Sequence, residues 1–204
     1  NARPAPYPDP GSKAFQRGAR EDAVTNWTAA ARSAEATGRP AELVTALEYL
    51  ARAHIALGRY DVAIQALRTA LNAAAALPES ALIPLLAALG NAHIAVGPPE
   101  AARAFLQRSL DLARRYKDGA RMATALHDIG NLHAAQHEYA EALAAYGESA
   151  ALARSAGLHV LAARAQGNAA NALRQQGRPR EAEAALQAAW VEVRQAPASH
   201  EAAL

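Results

Sequence analysis

One phrase returns four times along the chain: Ala53-His54-Ile55-Ala56-Leu57-Gly58-Arg59-Tyr60, Ala92-His93-Ile94-Ala95-Val96-Gly97-Pro98-Pro99, Leu132-His133-Ala134-Ala135-Gln136-His137-Glu138-Tyr139 and Ala172-Leu173-Arg174-Gln175-Gln176-Gly177-Arg178-Pro179. Starting points at 53, 92, 132 and 172 give offsets of 39, 40 and 40 residues. Self-similarity at a fixed period of this length restricts a chain to stacked supersecondary units, none of which buries its apolar face alone.

Inside each period the apolar residues follow a helical spacing. Leu43, Leu47, Leu50 and His54 share one face, and Val62, Leu67 and Leu71 resume after the turn at Gly58. Each unit is therefore predicted to be two antiparallel helices, and the fold all-α, a right-handed α-solenoid of such pairs. Turns inside units fall at Gly58-Arg59, Gly97-Pro98-Pro99, His137-Glu138 and Gly177-Arg178-Pro179. Breaks between units fall at Gly38-Arg39-Pro40, Pro78-Glu79, Lys117-Asp118-Gly119 and Gly157-Leu158. Helices are predicted near residues 19–37, 41–57, 60–77, 80–96, 99–116, 119–136, 139–156, 159–176 and 179–195. Ser12 is placed as the cap of a short turn through Arg17. The organisation expected is an extended arm over 1–11, rich in proline, one continuous array over 12–196 and a tail over 197–204. Within the array the units are 12–38, with a shortened first helix, then 40–78, 79–117, 118–157 and 158–196.

Composition narrows the function classes. Hydrophobic residues make up 51% of the chain but aromatics only 5%, much of the apolar content being alanine, so the core is expected to be shallow and the helix axes close. Twenty-one basic against 19 acidic residues leave a net charge of +2 with no dense Lys/Arg run, which argues against a nucleic acid partner. No run of apolar residues reaches the length of a membrane span, and no membrane partner is expected. Cysteine is absent, which removes thiolate metal sites and thiol nucleophiles. An arm carrying Pro4, Pro6, Pro8 and Pro10 is common just after a removed signal peptide and also at a cloning boundary. Exported, periplasmic and cytoplasmic placements all stay open, and the Ala/Arg-rich composition looks bacterial.

The unit resembles a tetratricopeptide repeat in a lengthened, 40-residue form. The small residue of the first helix stands at Ala51, Gly90, Gly130 and Ala170. The alanine early in the second helix stands at Ala23, Ala63, Ala102, Ala142 and Ala182, with the large residue four places on at Trp27, Leu67, Leu106, Tyr146 and Leu186. This resemblance covers roughly residues 14–195 and implies a non-catalytic scaffold that binds a protein or peptide in its concave groove. The opening Ala14-Phe15-Gln16-Arg17-Gly18, with Ala23-Val24, Trp27, Ala46-Leu47 and Leu57-Gly58-Arg59-Tyr60, is similar to the repeat region preceding the caspase-like CHAT domain of some bacterial proteins. That likeness implies a regulatory region of a larger peptidase. A structural oligomerisation module is a further alternative.

One inward position of the first helices carries Arg52, Asn91, Asn131 and Asn171. A side-chain amide donates and accepts, so a row of amides can pair with the backbone of an extended peptide. Glu48, His127, Arg164, Asn168 and Arg174 surround the row and would supply charge selectivity, the arginines favouring acidic partners. Removing the Asn131 and Asn171 side chains is expected to weaken binding and leave melting unchanged. His54, His93 and His133 recur where the family usually has a tyrosine between helices, and are expected to be partly buried and hydrogen-bonded. Helices about 8 to 10 Å apart do not bring such nitrogens to within about 2.1 Å of one ion, so no metal and no cofactor is expected. Catalytic residues are not expected either. His137-Glu138-Tyr139-Ala140-Glu141 lacks the second histidine of a zinc protease helix, no phosphate-binding glycine loop occurs, and Gly147-Glu148-Ser149-Ala150 lacks the closing glycine of a nucleophile elbow. The last helix keeps Leu186, Trp190 and Val193 apolar, and pairing of two copies as a homodimer through an end helix, or continuation into a further domain, is expected from that stripe.

Overall fold

The computed structural model describes residues 10–196, so the expected arm up to residue 9 and the tail from 197 lie outside the described residues. Ten α-helices occur among them: α1 (Pro10–Gln16), α2 (Arg20–Ala36), α3 (Pro40–Ala56), α4 (Tyr60–Ala73), α5 (Leu82–Val96), α6 (Pro99–Arg115), α7 (Gly119–Ala135), α8 (Tyr139–Ser155), α9 (His159–Gln175) and α10 (Pro179–Gln195). No strand is present among the described residues. The nine helices expected from the period are all there, and each begins and ends within two residues of its expected limits except α4, which stops four residues early. Packing divides the chain into two compact units, one running to Leu85 and the other beginning at Leu86.

Two local expectations fail. Pro10 and Gly11 belong to α1 rather than to an extended arm, and Ser12 sits inside that helix instead of capping it. Proline's fixed φ suits a first helical turn. Gly11 then lets α1 settle on α2, since a Cβ there would lie 2.4 Å from the Trp27 indole nitrogen. The second failure is at residues 74–81. There α4 tightens into a 3-10 turn at Ala74–Ala76, Leu77 goes extended ahead of Pro78, and a second 3-10 turn at Glu79–Ala81 leads into α5. Proline disfavours a helical residue before it, which stops α4 short.

The turns show why the period is so regular. At Gly58 the amide of Arg59 donates to the His54 carbonyl at 2.8 Å and that of Gly58 donates to Ile55 at 2.9 Å, the double closure of a Schellman motif. Lys117 and His137 take the same left-handed conformation at φ 53° and 62° without being glycine. At the first of these, the neighbouring Asp118 also caps α7 by accepting from the Arg121 amide at 3.0 Å.

Unit 1 is held by Trp27, which stacks on Tyr49 at 5.2 Å between ring centroids and meets Phe15 at 5.8 Å. In unit 2 two small residues of first helices receive the large residue of the second: Gly90 faces Leu106 and Gly130 faces Tyr146, and a Cβ on either glycine would lie 2.5 Å from that side chain. Alanine allows the same close approach elsewhere, as at Ala142, Ala165 and Ala169 around Tyr146. Segment Glu79–Val96 is long and apolar enough, by length and composition, to cross a membrane. Its Ile83, Leu85, Leu86 and Leu89 are fully buried, the pattern of a core helix.

Candidate functional site

Three first helices of unit 2 turn polar side chains toward one another, and the contacts form a connected network. Asn168 on α9 uses both amide hydrogens, donating to His127 Nε2 at 3.1 Å and to Asn131 Oδ1 at 2.9 Å. Asn131 Oδ1 also accepts from the Tyr146 hydroxyl at 2.9 Å, reaching across from α8. Because His127 accepts at Nε2, its hydrogen sits on Nδ1, which faces Asp128 Oδ1 at 3.3 Å. Asn91 on α5 donates to the same Asp128 oxygen at 3.4 Å. His127, Asp128 and Tyr146 are buried, Asn131 and Asn168 half-buried. Burial pushes the Tyr146 phenol up to about 12; the Asp128 carboxylate adds to this and the Asn168 amide opposes it.

The expected row is thus split. Asn91 and Asn171 are exposed, whereas Asn131 is an internal link between helices. Its removal is therefore predicted to cost stability, where the sequence alone led to an expectation of unchanged melting. Two groups stay outside the network: the Asn131 Nδ2 donors, 3.4 Å from a ring nitrogen that already carries hydrogen, and the Asn168 carbonyl. Arg164 and Arg174 are exposed on α9. Glu48 and Arg52 lie on α3 in unit 1, the first half-buried and the second exposed with its guanidinium carbon 5.7 Å from the Tyr49 ring centroid.

A family model described as tetratricopeptide repeat matches residues 42–115, 79–155 and 121–189. The chain belongs to the tetratricopeptide repeat family. No curated protein matches it. Among solved structures, BtubC (BKLC) from P. vanneervenii is 18% identical with a TM-score of 0.71, over 89% of this chain and 76% of that one. MamA is 21% identical with a TM-score of 0.58, over 93% of this chain and 97% of that one. A Rap protein complexed with Competence and Sporulation Factor is 16% identical with a TM-score of 0.82, over 91% of this chain and 52% of that one. At these identities the likeness shows the fold, an α-solenoid of antiparallel helix pairs.

Within the tetratricopeptide array the three recurring histidines have three different surroundings. His54 is buried with no partner for Nδ1, and burial, reinforced by the Arg59 guanidinium, holds its imidazole below the ordinary value. His93 stacks on Phe105 at 5.5 Å between ring centroids. His133 pairs through Nδ1 with Glu138 at 2.6 Å. Among the described residues no three His, Cys, Asp or Glu side chains gather as a metal site would require.

Sequence reasoning overlooked Asp128, Tyr146 as a polar partner, and Glu192. The Glu192 carboxylate is buried on α10 and accepts from Arg154 Nε at 2.6 Å and faces His159 Nδ1 at 2.8 Å, tying the ends of α8, α9 and α10. Those contacts, the His159 bond first, hold its carboxyl below the usual range against the opposing effect of burial. The one signal in the sequence was a charge in place of the apolar Leu112 and Leu152 of the earlier units.

Proposed function

We propose that the chain is a non-catalytic scaffold that captures an extended peptide or a helix of a partner protein along the first-helix face of unit 2. The observation that carries this reading is the set of amide groups left outside the internal network. The exposed Asn171 amide, the Asn91 carbonyl, the Asn131 donors and the Asn168 carbonyl leave both donors and acceptors on this face, as a peptide backbone requires. Arg164 and Arg174 flank them and favour acidic residues in the partner, since a guanidinium pairs with a carboxylate through two hydrogen bonds. Arg52 offers the same chemistry on unit 1. The Rap relative of the same fold, complexed with Competence and Sporulation Factor, supports a binding role for such an array.

The test is capture of partners by the 204-residue chain, identified by mass spectrometry, beside an Asn171→Ala, Arg174→Ala variant. Both side chains are exposed, so each change should alter stability by no more than about 0.5 kcal/mol. Loss of the same partners at an unchanged melting temperature is the expected result. Undiminished capture by the variant removes the amide face from the reading.

A further inference from the structure

Helix α10 presents an apolar stripe on which nothing is packed among the described residues. Leu186, Trp190 and Val193 follow each other at i, i+4 and i+7 on one helical face and are 51%, 64% and 50% exposed. Forty residues earlier on α8, Tyr146, Ala150 and Ala153 are buried because α9 lies on them through Ala162, Ala165 and Ala169. On α6 the corresponding Leu106 and Leu110 are buried under α7. The stripe is therefore a seat for another helix. Its relief differs from the α8 seat, with Trp190 and Val193 in place of two alanines. The α8–α9 seam brings alanine against alanine; the bulk of Trp190 suits a facing helix that stands off farther and is bulky itself.

Charge identifies that helix. Glu183 and Arg194 are exposed on the same face, eleven residues and so about 16 Å apart, and neither forms an ion pair among the described residues. Their midpoint falls between residues 188 and 189. A twofold axis through that point sets Glu183 against Arg194 of a second copy and Leu186 against Trp190 of that copy, and each pair twice, as an isologous contact requires. We infer that α10 pairs antiparallel with α10 of a second copy of this chain, with Trp190 at the centre and the Glu183–Arg194 pairs at the two rims. The patch amounts to a few hundred Å² per copy, below the roughly 800 Å² per partner of a stable interface, so the pairing is reversible and concentration-dependent.

Sedimentation equilibrium of the 204-residue chain from the micromolar to the millimolar range tests this. The expected result is a monomer–dimer equilibrium that Trp190→Ser weakens by about tenfold or more. Glu183→Arg and Arg194→Glu should each weaken it by about fivefold or more, and the double reversal should restore it to within about threefold of the original. All of these side chains are exposed, and far-UV circular dichroism of each variant checks that the helices are kept. A monomer at every concentration overturns the inference and leaves the seat to a helix of another kind. A dimer indifferent to Trp190→Ser, or one that the double reversal does not restore, overturns it as well.

Discussion

Replacing Asn131 by alanine should lower the stability of unit 2 by about 2 kcal/mol, although the residue stands at a position that a repeat alignment assigns to the binding face. The Tyr146 hydroxyl is buried and donates to Asn131 Oδ1, and the Asn168 amide donates to the same oxygen. Alanine removes that oxygen. A buried donor left without an acceptor costs about 1 to 3 kcal/mol, while Asn168 keeps His127 and loses less. For a chain of this size that corresponds to a fall of roughly 4 to 8 °C in melting temperature. The assay is chemical and thermal unfolding, followed by circular dichroism, of Asn131→Ala, Tyr146→Phe and the double variant. Taking away both partners leaves nothing unsatisfied, so the double variant should cost less than the sum of the singles by about 1 kcal/mol. Asn171→Ala, exposed and outside the network, serves as the neutral reference. Wild-type melting in Asn131→Ala, or strict additivity of the two single changes, would refute the placement of Asn131 inside the fold.

Packing and titration supply the other predictions. Leu106→Ala, at a fully buried side chain that fills the space over Gly90, should cost about 2 to 5 kcal/mol in a urea titration. Gly130→Ala should cost about 1 to 3 kcal/mol in the same assay, since the added carbon lies 2.5 Å from a Tyr146 ring held at its hydroxyl. Raising the Tyr146 phenol from 10.0 to about 12 means that its contribution is complete below pH 10 and is lost as pH climbs toward 12, by about 3 kcal/mol. Tyr146→Phe should flatten that alkaline decline. For Glu192 the sign reverses: its contribution is present above the ordinary carboxyl value of 4.5 and disappears as pH falls through the lowered one, so Glu192→Gln should flatten the acid limb of a stability–pH curve.

Much of the fold was legible because its determinants are local and repeated. Pro40, Pro99 and Pro179 open α3, α6 and α10, and Gly58, Gly157 and Gly177 close the helices before their turns with a positive φ. The small residues at Gly90 and Gly130 announce the close approach of Leu106 and Tyr146. What could not be read is set by tertiary contacts. Nothing local says that Pro10 starts a helix, because α1 is fixed by Trp27 seated over Gly11. Leu186 fills the same repeat position as Leu106 and Tyr146, which α7 and α9 help to bury, yet it is half exposed because no described helix lies on that side of α10.

The network carries the same lesson for the candidate site. Reading one position at intervals of 40 produces a row, Asn91, Asn131 and Asn171, and suggests that its members act alike. The hydrogen bonds run at another interval. Asn91 reaches Asp128 and Asn131 meets Asn168, both 37 residues on, which is the period less about one helical turn. Neighbouring first helices are thus in contact one turn out of step, so a polar residue at the row position meets the residue one turn earlier in the next unit. Where that residue is polar, as at Asp128 and Asn168, the amide is drawn inward and becomes an internal link. Asn171 is exposed, with its whole amide outside the network formed by the described residues. On the proposed reading, what the face offers a partner therefore depends less on how many asparagines recur than on how much of each amide these internal bonds take up.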